Sequence, residues 1–257
     1  HVVDESVEAM YARLQELRLQ ALGPDGAYRC DRAWQVYAAS LFSLVPALSV
    51  FTSAALEDSG PGIRLIVNSQ APGGRAWVNA LAREGFVALA PDLYHGQKAD
   101  EPDEARKLAM DLDRERAVRE IVAAVRYLQS LEQVMPKKIG IVGWCMGGSL
   151  TLATAAASPE IGAAVAFYGA PRDLQALRAI QAPVLGLFAE HDHGITPEMV
   201  HSIGQILQEQ GVVYETHLYP GTQHAFFNDT RPNIYNPEAA RDAWERTLAW
   251  FRQHLLD

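Results

Sequence analysis

The chain has 257 residues, 49% of them apolar in type, and a net charge of −9. That length suits one α/β domain with a substantial core, and the acidic balance argues against nucleic acid as a partner, because phosphate recognition needs clustered Lys and Arg. Two cysteines, Cys30 and Cys145, make no disulfide framework and fit a reducing, cytoplasmic setting. The chain begins at His1, so a processed or exported form stays open beside the cytoplasmic one.

Asp4 to Leu22 reads as a helix, with Met10, Leu14, Leu17 and Ala21 at helical spacing. From Ala33 to Leu56 there is no charge. Such a run is long enough to span a bilayer, but Pro46 at its centre and its Ser, Thr, Gln and Tyr content favour buried strands, or a strand and a helix. No membrane span is therefore expected. Ile63–Val67 reads as a strand, 68–74 as a loop and Trp77–Glu84 as a helix stopped by Gly85. Phe86–Ala90 is the next strand, and Asp113–Leu131 is an amphipathic helix with Val118, Ile121, Val122, Val125 and Leu128 as its stripe. Lys138–Val142, Ala163–Tyr168 and Val184–Phe188 read as buried strands. Val212–Tyr219 is more mixed, like a strand nearer an edge, and Ala239–Leu255 closes the chain as a helix. Strands alternating with helices imply a mostly parallel central sheet with helices on both faces, in a single domain over 1–257. Within it, residues 1–62 form a divergent or added N-terminal segment.

Gly143-Trp144-Cys145-Met146-Gly147 reads G-x-C-x-G between a strand and a helix rich in small residues. This is the nucleophile-elbow pattern with cysteine in place of serine. A strained turn there presents the thiol at the helix N-terminus, where free N–H groups and the helix dipole favour negative charge. Sites in parallel sheets gather at the C-terminal strand ends. Two later strands end in suitable groups, Glu190-His191-Asp192 and Gly221-Thr222-Gln223-His224. The order Cys145, Asp192, His224 is nucleophile, acid, histidine. His224 is suited to proton transfer and Asp192 to fixing its tautomer; Glu190 competes for the acid role. Met146 N–H and Ala71 N–H are the candidate oxyanion donors, Pro72 having none. Gln70, Tyr94, His95, Trp144 and Phe226 are candidate substrate contacts. Glu190-His191-Asp192-His193 has metal-binding residue types but no completing ligand elsewhere. No P-loop or G-x-G-x-x-G occurs, so no metal or cofactor is expected.

Three stretches together resemble the dienelactone hydrolase family: Gly85–Tyr94, Gly143–Gly148 and Tyr219–Phe227, with Asn228–Pro232 and Tyr235–Ala240 beside them. The match runs from about Ile63 to the C-terminus. The resemblance implies an α/β-hydrolase fold, a Cys145–Asp192–His224 triad, and opening of small lactones and esters through an acyl-enzyme. It also implies a glutamate after the first matched strand, where Gln70 stands here. Two substrate-carboxylate arginines are implied at places that here hold Gly96 and Asn228, with Arg231 displaced nearby. Neutral esters are thus the safer substrate expectation, for a monomer or small homo-oligomer. A glutamine amidotransferase would need His-x-Glu, which His224-Ala225-Phe226 does not supply. The alternative from another class is a non-catalytic ligand-binding or thiol-sensing protein on a hydrolase fold.

Overall fold

The structure, a computed structural model, describes residues 63–68, 74–95, 97, 99, 102–132 and 134–256. The helix expected at Asp4–Leu22, the uncharged run Ala33–Leu56, Cys30 and the loop containing Gln70 and Ala71 lie outside the described residues.

Six strands are present among the described residues: β1 (Ile63–Asn68), β2 (Phe86–Leu89), β3 (Ile139–Trp144), β4 (Ile161–Phe167), β5 (Val184–Ala189) and β6 (Tyr214–Tyr219). They form one sheet in the order β2-β1-β3-β4-β5-β6, and every neighbouring pair is parallel. The helices are α1 (Gly74–Arg83), α2 (Pro102–Asp111), α3 (Arg114–Ser130), α4 (Met146–Ala157), α5 (Pro197–Glu209) and α6 (Pro237–Leu255). A 3₁₀ turn at Leu174–Ala179 precedes β5.

Period-two alternation sends each central strand to two cores. Ile139 and Ile141 of β3 join the layer under α3, α4 and α5, whereas Val142 and Trp144 join the layer under α1 and α6. Both faces are covered, which is why β3, β4 and β5 read as continuous apolar runs. The mixed β6, half-exposed, lies at an edge of the described sheet. Among the described residues no helix is long and apolar enough to cross a membrane.

Helix starts follow capping chemistry. Asp113 accepts from Arg116 N–H, Thr196 from Met199 N–H and Asn236 from Ala239 N–H, and proline opens both α5 and α6. The sequence reading missed α2, the 3₁₀ turn and α5. For α5 the signal was present: Thr196-Pro197 at the cap, then Val200, Ile203 and Leu207 at helical spacing.

One helix departs from this pattern. The N-cap of α4 is Cys145, whose side chain makes no capping bond. The first intrahelical bond runs from Ser149 N–H to Cys145 O, so the N–H groups of Met146, Gly147 and Gly148 have no acceptor within the helix. Two glycines let this turn close. A Cβ on Gly169 would sit 2.5 Å from Cys145 O and 2.6 Å from Ser149 N, and one on Gly148 would sit 2.7 Å from Phe167 O. These neighbours are backbone and have nowhere to move. Gly169→Ala should therefore cost about 1–3 kcal/mol, a fall in Tm of several degrees at about 2–4 °C per kcal/mol for a domain of this size. An unchanged melting curve would show that the turn is not so tightly fixed.

Candidate active site

The strand order reverses at β1, which is followed by β2 on one side and β3 on the other. Crevices for ligands open outside the C-terminal strand ends at such a point. Cys145 directly follows β3, at φ 56° and ψ −118°. A non-glycine residue in that region is strained by roughly 1–3 kcal/mol and is held by its surroundings. Here Cys145 N–H donates to Phe167 O at 3.0 Å, while the turn is backed by Gly169. The thiol is partly buried and packs against the core layer that contains Trp144, Phe167 and Phe227.

Backbone bonds beyond the strand ends join the neighbouring loops. Tyr168 N–H donates to Leu187 O at 2.8 Å, and His191 N–H donates to Thr222 O at 2.9 Å. Glu190 accepts from Gly221 N–H at 2.8 Å, so it ties the loop after β5 to the loop after β6 rather than facing the histidine. These loops carry Asp192 and His224. His224 Nε2 lies 3.1 Å from Cys145 Sγ, and His224 Nδ1 lies 2.6 Å from Asp192 Oδ2. Asp192 is buried, and its other oxygen accepts from the Gly194 and Ile195 N–H groups at 2.8 and 3.0 Å. Three residues far apart in the chain are thus joined in one hydrogen-bonded line.

The electrostatics follow from that line. Burial lowers the His224 pKa, but hydrogen bonds to Asp192 and Cys145 and the charges of both outweigh it, and the imidazole is pushed up to about 10. Burial raises the Asp192 pKa, yet the bond and charge of His224 with the Ile195 and Gly194 N–H groups hold it below its ordinary value. A histidine raised from 6.5 adds stability that is complete below pH 6.5 and lost as pH climbs toward 10. For Asp192 the sign is opposite: its contribution stands above the ordinary carboxylate value and is lost on acidification. The His224 imidazole should therefore titrate near pH 10 by NMR. In Cys145→Ala it should titrate lower, because two of the raising influences are removed. An unshifted midpoint in that variant would show that the sulfur does not act on the ring.

The other expected site residues are placed as follows. Met146 opens α4 with its N–H free of an intrahelical acceptor. Gln70 and Ala71 lie outside the described residues. Tyr94 is buried, and its hydroxyl has no hydrogen-bond partner among the described residues. His95 is exposed at φ 52° and contacts Glu120 at 2.8 Å and Arg116, on the surface of α3. Trp144 and Phe226 differ from the expectation. They are 1% and 0% exposed, Trp144 stacked between Trp77 and Phe167 and Phe226 against Tyr168 and Tyr219, so they are core residues rather than substrate contacts. Large aromatics flanking a nucleophile and a histidine support the site from below.

Sequence reasoning missed Tyr168. At φ 34°, it turns its ring edge-on against His224, with centroids 4.9 Å apart. Burial first, then the nearby Cys145, push its pKa well up, so its hydroxyl stays protonated. The available signal was the Tyr168-Gly169 pair at the end of a buried strand.

Strand order, elbow and helix placement define an α/β-hydrolase fold. The chain matches the dienelactone hydrolase family over residues 71–255. Among curated relatives, the usf protein of Aquifex pyrophilus is 38% identical, the match covering 68% of this chain and 78% of that one. A Bradyrhizobium protein named as a 2-oxo-3-(5-oxofuran-2-ylidene)propanoate lactonase is 32% identical over 68% of this chain and 75% of its own. A crystal structure from Klebsiella pneumoniae assigned as a dienelactone hydrolase superposes with a TM-score of 0.69 at 28% identity, covering 82% of this chain and 97% of the other. The chain belongs to the dienelactone hydrolase family, and with it to the carboxylic-ester hydrolases.

Proposed function

We propose that the protein hydrolyses small carboxylic esters or lactones through a covalent acyl-enzyme on Cys145. The observation that carries this is the Cys145–His224–Asp192 line, with contacts of 3.1 and 2.6 Å at the end of an open helix N-terminus. The Cys145 sulfur attacks the carbonyl carbon while its proton rests on His224 Nε2, whose raised pKa keeps the imidazole charged at neutral pH. Negative charge develops on the carbonyl oxygen, which accepts from Met146 N–H; Ala71 N–H is the second donor in this reading. As the intermediate collapses, the C–O bond breaks and His224 protonates the leaving oxygen. That oxygen departs as an alcohol from an ester, or stays tethered in an opened lactone. Water then attacks the thioester, giving its proton to His224. The C–S bond breaks, the acid is released and the sulfur is left beside the recharged imidazole, ready for another cycle. Asp192 keeps the imidazole oriented and stabilises its charged form throughout.

The purified protein should turn over short p-nitrophenyl esters, and His224→Ala should reduce turnover to near the uncatalysed rate. Equal turnover by parent and variant would rule the mechanism out.

A further inference from the structure

A second strained turn lies against the elbow, at the end of β4. Tyr168 directly follows Phe167, and its N–H donates to Leu187 O at 2.8 Å, so the ladder to β5 runs one residue past the strand. There the backbone turns to φ 34°. A non-glycine residue with positive φ is unfavourable and persists only where its surroundings hold it. Gly169 comes next and is packed against the nucleophile's own backbone, where a Cβ would stand 2.5 Å from Cys145 O. The turn that carries Cys145 and the turn that carries Tyr168 therefore meet backbone to backbone. Ala225, which directly follows His224, also has positive φ, at 68°.

That strained turn puts a buried ring on the flank of the histidine. The Tyr168 ring meets the His224 imidazole with centroids 4.9 Å apart and planes at 61°. It also meets Phe226 at 5.5 Å and 72°, and Phe167 at 6.1 Å and 76°. Steeply inclined contacts at these separations are favourable for aromatic rings. Phe226 belongs to the same turn as His224, donates its N–H to Gln223 O at 3.1 Å and packs on Tyr219 at 4.9 Å. One ring thus touches both the imidazole and the turn that carries it. Among the described residues the Tyr168 hydroxyl makes no hydrogen bond, so the contact is made by the ring.

We propose that Tyr168 is a positioning residue for the reaction: its ring braces the flank of His224 and keeps Nε2 aimed where the sulfur, the leaving oxygen and water are met in turn. The proposal rests on the hydrolase reading above. In the resting site the imidazole is held at both ends, Nδ1 by Asp192 at 2.6 Å and Nε2 by Cys145 at 3.1 Å. Once the sulfur carries the acyl group, that second hold is gone and the Asp192 bond alone remains. One hydrogen bond fixes a direction but tolerates a broad range of tilts. The His224 side chain is 36% exposed, so solvent does not confine it, and the Tyr168 ring is the remaining constraint on its tilt. A misplacement of about 1 Å at a reacting group costs about a hundredfold in rate.

Two substitutions separate the ring from the hydroxyl. Tyr168→Leu keeps an apolar side chain and the same backbone demand but removes the ring, whereas Tyr168→Phe keeps the ring. With p-nitrophenyl butyrate, Tyr168→Leu should lower kcat by about 10–100-fold with no rise in KM. Tyr168→Phe should stay within about threefold of the parent, since no hydrogen bond is lost. The His224 titration is the second readout. Its midpoint near pH 10 should persist in Tyr168→Phe and fall in Tyr168→Leu, where a looser imidazole keeps its bonds to Asp192 and Cys145 for less of the time. An unchanged kcat or an unmoved midpoint in folded Tyr168→Leu would overturn the proposal, and so would Tyr168→Phe as slow as Tyr168→Leu. A measurement on the parent alone needs neither variant: ring protons of His224 and Tyr168 should show a nuclear Overhauser effect, and its absence would overturn the proposal. Absence of cysteine-dependent turnover by the parent would instead count against the hydrolase reading, while the nuclear Overhauser effect and the titration still decided whether Tyr168 braces His224.

Discussion

Replacing Cys145 by alanine should lower kcat/KM for a short ester by at least about four orders of magnitude, the scale seen when a hydrolase loses its nucleophile. The substitution removes one sulfur atom and little else. Cys145 makes no side-chain capping bond, so α4 loses no support. The backbone bonds from Cys145 N–H to Phe167 O and from Ser149 N–H to Cys145 O remain available to alanine. Tm should therefore change little, which separates loss of chemistry from loss of fold. Residual turnover within tenfold of the parent, by a correctly folded variant, would mean that the sulfur is not the nucleophile.

Asp192→Asn should lower kcat by about 10³–10⁴-fold at neutral pH, as loss of the orienting carboxylate does in other triads. Asparagine has nearly the same shape, and its oxygen can still accept from the Gly194 and Ile195 N–H groups that Asp192 engages at 2.8 and 3.0 Å. The charge opposite His224 Nδ1 is lost, and with it two of the four influences that raise the imidazole pKa to about 10. The His224 midpoint should fall toward its ordinary value of 6.5, and the share of charged imidazole at neutral pH with it. The loss should appear in kcat more than in KM, because the carboxylate contacts the histidine and not the substrate. A loss below tenfold, or an unmoved His224 titration, would show that Glu190 or another group supplies the orientation.

Much of this was legible in the sequence because local and global signals agreed there. Gly143 and Gly147 flank Cys145 between an unbroken apolar strand and a run of small residues, and the structure has an elbow at that place. The expectation of Asp192 as the acid left Glu190 as a competitor. Both follow the same strand, and the contacts alone show Asp192 on the imidazole and Glu190 on Gly221 N–H. Trp144 and Phe226 misled for a related reason. Closeness in sequence to a catalytic group does not fix exposure: Trp144 packs between Trp77 and Phe167, and Phe226 against Tyr168 and Tyr219. The start of α5 was readable from Thr196-Pro197, whose hydroxyl and ring suit a cap and a first turn.

Intact-protein mass spectrometry after rapid acid quench with a slowly turned-over ester tests the covalent mechanism most directly. A mass increase equal to the acyl group should appear, mapped to the peptide that contains Cys145, formed and lost at rates consistent with turnover, and absent from Cys145→Ala. Steady turnover with no acyl adduct under conditions that trap thioesters, or an adduct on another residue, would contradict it.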